Sequence, residues 1–463
     1  MILCAHNNLL FCCSIEEQVE AVNCFFCMFT FMIRWFLLML LLSVQHLCQA
    51  QQEESIQKLF QESAVLQQHL HGFSLYDIQE QRFVHSVNQN VHFTPASNTK
   101  IFTLLQSLQH VGDSIPGLAY VVRGDSLIFW GTGDPTFLHR KLDTRKVYNF
   151  LQKTPYKLFY APAQVVEPAY RDGWAAEDYQ HDFQPDISSF PIYGNTVQFK
   201  NVRGQLRATP RYFEANISVK PGIGGFDIIR HPHENYFDAT SYRVRSGFVA
   251  HKPFIYSSHL FVTLLQDTLQ RPITVLAGYS MPSDVQYVYS MSTRKLLREM
   301  MLYSDNFLAE QLCYTASFLM FNQFNAARMR EYMATTYYSL FTDKIALYDA
   351  SGLSFYNKVT PRSMVELLLM IQRNVGSEED LLWLFPAGRS SGTLRNLYSL
   401  ANGKPFVWAK TGTVNSVYAQ SGFLLGASGK RYVFSFMNNN YFDNLKEVKQ
   451  EMVRIMTYIY QNY

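Results

Sequence analysis

Three short stretches carry side chains whose types and spacing could do chemistry. In "FTPASNTKIFTLLQSLQHVG", residues 93–112, Ser97 and Lys100 stand three positions apart. On a helix that step places a hydroxyl and an amine on one face, a turn from each other. Apolar surroundings disfavour the charged amine and lower its pKa, so that it can take the hydroxyl proton. The serine oxygen then becomes a nucleophile, and the orphan N–H groups of a helix start favour negative charge developing beside it. The blander reading is a capping serine beside a solvated lysine. Ser304-Asp305-Asn306 sets a hydroxyl and an amide on a loop between two helical stretches, where it could equally cap the second helix. Lys410-Thr411-Gly412 offers a cation, a hydroxyl and a residue without a Cβ, which lets a ligand approach the backbone. Its bland counterpart is an edge-strand lysine.

Spacing alone discriminates weakly. Ser-x-x-Lys recurs at Ser55–Lys58 and Ser292–Lys295, and Ser-x-Asn recurs at Ser86–Asn88, whereas Lys-Thr-Gly occurs once. Context separates the copies. Pro95 and Ala96 lead into Ser97, the apolar face Ile101, Leu104, Leu105 and Leu108 follows, and Gly112 closes the helix. The other Ser-x-x-Lys copies lie in or beside plain amphipathic helices.

Elements to hold these residues are legible along the chain. Residues 55–70 read as an amphipathic helix and 71–90 as a strand hairpin. From 116 to 287 short apolar runs alternate with turn pairs, as in "VVRGDSLIFWGTGDP", which predicts a β-rich inserted domain. Helices return at "STRKLLREMMLY" and "FLAEQLCYTASFLMF", flanking the 304–306 loop, and at 361–374, where Pro361 suits a helix start. Strands are predicted at 406–414, 418–429 and 430–440. A terminal helix over 442–463 presents Val448, Met452, Ile455 and Ile459 on one face. A mixed sheet assembled from both ends of the chain, with the insert hanging off it, accounts for this order.

Composition bounds the function. The 463 residues are 48% hydrophobic and 17% charged, as in a globular protein. A formal charge of +3 without a basic stretch interleaved with aromatics argues against nucleic acid. Aromatics make up 15% and mostly fill cores and seams, with a few free to line a cleft for peptide or sugar. From Met32, one Arg, an apolar run from Trp35 to Val44 and Cys48-Gln49-Ala50 predict a signal peptide over 32–50, cut after Ala50. Residues 1–31 are expected to be an upstream extension. Of seven cysteines only Cys313 follows Ala50, so the mature chain is expected to hold no internal disulfide and no Cys-x-x-Cys metal site.

Taken in order, the three motifs resemble those of the serine penicillin-recognising enzymes. About 200 residues between Ser97 and Ser304, with "GTGDPTF", "DGW", "YSDNFLAEQL", "SGLS", "SGTL" and "AKTGTV", narrow the resemblance. It is to the class C low-molecular-mass penicillin-binding proteins, the D-Ala-D-Ala carboxypeptidase/endopeptidase family. The resemblance implies an α/β (α+β) fold, a penicillin-binding/β-lactamase-like transpeptidase domain over 51–115 and 288–463, with 116–287 inserted. It implies that Ser97 attacks the carbonyl of the penultimate D-Ala and that Lys100 takes its proton. Ser304 would pass a proton to the leaving amine, and Asn306 would bind the substrate amide. Lys410 and Thr411 would hold the terminal carboxylate, beside Gly412, and the N–H groups of Ser97 and Thr413 would form the oxyanion hole. Asp178 and Phe183 would contact the diamino-acid side chain of the stem peptide, and Phe355 stands where relatives often carry Arg. Peptidoglycan stem peptides are the implied substrates and β-lactam antibiotics the covalent inhibitors, in the periplasm, with no metal or other cofactor. A homodimer and a peripheral membrane contact are left open. The competing readings are a serine β-lactamase, against which the long insert argues, and a catalytically idle peptidoglycan-binding protein.

Overall fold

The computed structural model describes Arg34 and residues 56–463, except 164, 166, 223 and 224. The expected upstream extension and signal peptide therefore fall outside the described residues, Arg34 aside. The chain divides into two units, Met1–Glu62 and Ser63–Tyr463. In the first, residues 56–61 are helical.

The second unit runs through β1 (Leu70–Asp77), β2 (Arg82–Val87), α1 (Lys100–His110), β3 (Ser114–Arg123), β4 (Ser126–Trp130), β5 (Lys157–Tyr160), β6 (Ile273–Val275) and β7 (Gln286–Ser292). It continues through α2 (Thr293–Tyr303), α3 (Asn306–Phe321), α4 (Pro361–Asn374), β8 (Val407–Val414), β9 (Val417–Leu425), β10 (Arg431–Asn439) and α5 (Leu445–Asn462). Among the described residues β8-β9-β10-β1-β2 form one antiparallel five-stranded sheet, so both ends of the unit meet in it. A second five-stranded sheet has the order β6-β5-β4-β3-β7, with β4, β5 and β6 parallel. Smaller sheets join Val249–Pro253, Thr196–Val202 and Gln205–Thr209, and Ile217–Val219, Phe237–Ala239 and Ile228–Arg230. The mixed α/β architecture with antiparallel sheets is the one expected.

Two differences have physical causes. The helix expected over 55–70 does not continue: a 3-10 turn occupies Leu66–Gln68, and Leu70 and His71 enter β1 because all eight residues of that strand pair with β10. The β-rich stretch also contains helices at Lys146–Lys153 and Ser258–Leu269. The second of these buries Leu260, Phe261, Leu264, Leu265 and Leu269, a helical period hidden among aromatic and β-branched neighbours.

Packing follows the two large sheets. One apolar cluster gathers α1, α2, α3 and α4 against Ala419, Phe423, Val433 and Met437 of β9 and β10. Another, from Leu118 to Ile273, fills the middle of the chain. Helix α3 is buried from Phe307 to Phe318 without interruption, as a helix enclosed on all sides must be. Asp305 caps it, accepting from the Leu308 N–H at 3.0 Å. Thr360 and Ser363 cap α4 reciprocally, with Pro361 in its first turn. Val448, Met452, Ile455 and Ile459 of α5 are all buried.

Candidate active site

Ser97 lies in a 3-10 turn, Ala96–Thr99, and Lys100 is the first residue of α1. The expected helix opening at Ser97 is thus a tighter turn feeding an α-helix, which leaves the two side chains on one side. The backbone before Ser97 is left-handed at Ala96, φ 47°. Lys100 is fully buried at the start of an apolar helix, yet its Nζ lies 2.9 Å from Ser97 Oγ, 2.6 Å from Asn306 Oδ1 and 2.6 Å from the Ser351 carbonyl. Burial brings the amine down to about 8, although the charges of Asp349, Asp305 and Glu310 work in the opposite direction. A neutral amine keeps two N–H groups for Asn306 and Ser351 and turns its lone pair to the serine hydroxyl.

The second motif arrives where α2 ends and α3 begins. Ser304 takes a left-handed conformation, φ 57°, which turns the chain between the helices. Asp305 is spent on the α3 cap, so the two remaining motif side chains project away from it. Asn306 bridges the cleft: its Oδ1 accepts from Lys100, and its Nδ2 donates to the Phe183 carbonyl at 3.0 Å. Ser304 Oγ accepts from Lys410 Nζ at 2.8 Å.

The third motif is on β8. Lys410 is fully buried, and its Nζ also donates to the Thr411 carbonyl at 2.6 Å. Burial and then the nearby Lys100 amine hold Lys410 well below the usual lysine range. Thr411 Oγ1 donates to Thr393 Oγ1 at 2.7 Å. Gly412 meets the serine turn closely: a Cβ there would stand 2.5 Å from the Pro95 carbonyl oxygen and 3.0 Å from the Ser97 nitrogen. The absence of a side chain is what allows the strand to lie against the turn.

β8 is an edge strand. Its outer side is covered at Val407, whose carbonyl accepts from Gly388 N–H, and at Ala409, whose N–H donates to the Pro386 carbonyl. The register with β9 is unbroken from Val407 to Val414. By the two-residue period, the peptide groups of Thr411 and Thr413 face the same outer side. Thr413 is exposed there.

All five residues expected to do chemistry therefore come together. Hydrogen bonds join Ser97, Lys100 and Asn306 in one set and Ser304 with Lys410 in another. The 304–306 loop and the electrostatic contact of the two lysines link the sets, with Thr411, Gly412 and Thr413 along the strand of Lys410. Phe183 reaches the cluster through its backbone, its ring 39% exposed and stacked on His181. Asp178 sits half-buried in the 3-10 turn Ala176–Gln180, five residues before Phe183. Phe355 is 41% exposed, beside the "DGW" segment, its N–H 3.3 Å from the Gly173 carbonyl.

Two positioning groups carry no motif. Buried Asp349 accepts from the N–H groups of Gly352 (2.9 Å) and Ser354 (2.7 Å), from Asn357 Nδ2 (2.7 Å), Trp174 Nε1 (2.9 Å) and Ser351 Oγ (3.3 Å). It fastens "SGLS" and "DGW" together and fixes the Ser351 carbonyl that holds Lys100. Glu310 on α3 accepts from the Ala350 N–H at 2.8 Å. Asp349-Ala350-Ser351-Gly352 is a turn signal that could have pointed to Asp349, but nothing in its spacing announces its other donors.

A family model described as D-Ala-D-Ala carboxypeptidase 3 (S13) matches residues 52–218 and 252–459. D-alanyl-D-alanine carboxypeptidase DacB of Haemophilus influenzae is 31% identical over 155 residues, 32% of this chain and 31% of that protein; the chain thus matches about a third of this relative. Penicillin-sensitive carboxypeptidase A of Dictyostelium discoideum is 22% identical over 401 residues, covering 74% of this chain and 76% of that one. In fold, the chain is similar to the crystal structure of penicillin binding protein 4 from Haemophilus influenzae. The TM-score is 0.69 at 21% identity, over 88% of this chain and 98% of that one.

Proposed function

Since the chain belongs to the D-Ala-D-Ala carboxypeptidase 3 (S13) family, we propose that it is a secreted serine DD-peptidase that works on peptidoglycan stem peptides through an acyl-enzyme. The observation that carries this reading is the buried Lys100 amine, lowered to about 8 and 2.9 Å from the Ser97 hydroxyl. Ser97 Oγ attacks the carbonyl of the penultimate D-Ala as its proton passes to Lys100. Charge on the tetrahedral oxygen is met by the N–H groups of Ser97 and Thr413, each such donor being worth roughly 3 kcal/mol. The outward peptide groups of β8 take the substrate backbone as an added strand. Lys410 and Thr411 receive the terminal carboxylate, and Lys410 also holds Ser304 where it can protonate the leaving amine. The C–N bond breaks, and water then cleaves the ester to free Ser97 and the shortened peptide.

β-Lactams enter the same path and acylate Ser97. Residues 116–287 are, in this reading, an inserted domain whose Phe183 segment forms one wall of the cleft, with Asp178 and Phe183 facing the diamino acid. Secretion to the periplasm belongs to the same proposal. Among the described residues no helix is long and apolar enough to cross a membrane.

Labelled penicillin should form a covalent adduct with the protein that Ser97→Ala removes, and mass spectrometry of muropeptides should show loss of terminal D-Ala. An unmodified wild-type protein would defeat the proposal. Rapid turnover of penicillin would instead favour a β-lactamase, and binding of stem peptide without release of D-Ala an idle binding protein.

A further inference from the structure

A groove of about 460 Å³ opens at the far end of α3, against the 278–281 segment. Its lining residues Phe318 and Asn322 stand roughly 18–24 Å from Asn306 along the helix axis. Its size falls within the roughly 300–1,000 Å³ of small-ligand sites. Its lining contains aromatic, aliphatic, hydroxyl and amide side chains and no charged one.

The polar groups are arranged for use. Tyr279 is 40% exposed and stacks on buried Trp130, with ring centroids 6.0 Å apart and planes 27° apart. Trp130 Nε1 donates to the Tyr279 carbonyl at 3.4 Å, which fixes the pair. One face of the tyrosine is thereby supported and the other left open. Across the groove, Asn322 is the left-handed residue that ends α3, and its exposed amide takes part in no hydrogen bond among the described residues. Gln323 accepts from Arg328 through Oε1, and Asn325 caps the next helix through Oδ1. Their amide N–H₂ groups remain available as donors. Met281, Phe318 and Phe324 supply the apolar floor.

We infer that this groove binds a neutral polysaccharide, a β-1,4-linked N-acetylhexosamine chain, at a site separate from the acyl-transfer cleft. Supported aromatic face, spare amides and the lack of charge select this class. A sugar ring lays its C–H face on Tyr279, and its hydroxyl and acetamido groups exchange hydrogen bonds with Asn322, Gln323 and Asn325. An anionic ligand would find no cation in the lining to offset its desolvation. A protein that cuts peptides hung on such a chain would gain a grip on the polymer itself, whereas soluble peptides would not use the groove.

Calorimetric titration of the full chain with N-acetylglucosamine oligosaccharides tests this directly. Binding is expected for the wild type and for protein already acylated by penicillin. Tyr279→Ala should weaken it about tenfold, the scale of a lost aromatic anchor. Asn322→Gly, which suits the left-handed backbone, should weaken it severalfold, and both variants should react with penicillin at the wild-type rate. A glucuronate-containing oligosaccharide should bind detectably worse than the neutral one. No heat with the wild type, equal affinity in Tyr279→Ala, or loss of binding on penicillin acylation would each overturn the inference, and none would touch the assignment of Ser97.

Discussion

Lys100 shows how burial can bring an amine toward neutrality. Removing the amine by Lys100→Ala should slow penicillin acylation about 10²–10⁴-fold, the usual contribution of a positioned base. The wild-type acylation rate should climb with pH as the amine loses its proton and level off above about 8, while the variant's residual rate should lack that step. The same shift acts on folding. The folded amine titrates near 8 and the unfolded one near roughly 10.4, so between those values the unfolded chain holds the extra proton. Stability should therefore rise with pH across that window, and the denaturant midpoint of the wild type should gain on that of Lys100→Ala there. The motif side chains were legible in the sequence because their chemistry demands particular residue types: a hydroxyl, a lysine, an amide, a glycine. Asp349 was not, because a lone acid becomes a hub only when donors from 174 and 351–357 converge on it.

Among elements, the decisive contact is β8 against the turn that carries Ser97. Gly412→Ala would place a methyl 2.5 Å from the Pro95 carbonyl oxygen and 2.8 Å from Asn98 Nδ2, pushing strand and turn apart. A displacement near 1 Å can cost about 10²-fold in rate, so penicillin acylation should fall by that order while circular dichroism stays native. Asp349→Ala works differently. It strands buried N–H donors, each costing about 1–3 kcal/mol, and releases both "SGLS" and "DGW". Thermal unfolding should move sharply downward, and acylation should fail with it. Helices and strands were largely readable from periodicity, including the faces of α1 and α5. The serine turn was read as plain helix, because a 3-10 start leaves no mark in a pattern of apolar spacing.

At the scale of the molecule, buried charge ties distant stretches of chain together. Arg171, 3% exposed, lies 3.6 Å from Glu310 on α3 and 3.6 Å from Glu167. Glu167 in turn accepts from the N–H groups of Ala326 and Ala327, at the start of the following helix. Arg171→Ala would leave Glu310 without its cation, a loss of about 3–5 kcal/mol that urea unfolding should register. Such a network is invisible to sequence reading, since Glu167 and Arg171 stand more than a hundred positions from Glu310 and Ala326 and each charged member is an ordinary ion. Polarity also matters at this scale. The uncovered margin of β8 presents the peptide groups of Thr411 and Thr413, and backbone pairing alone would accept an added chain running either way. In the proposed reading, the sense of threading is therefore set at one end of that margin, where the Lys410 amine would accept a carboxylate and refuse an ammonium.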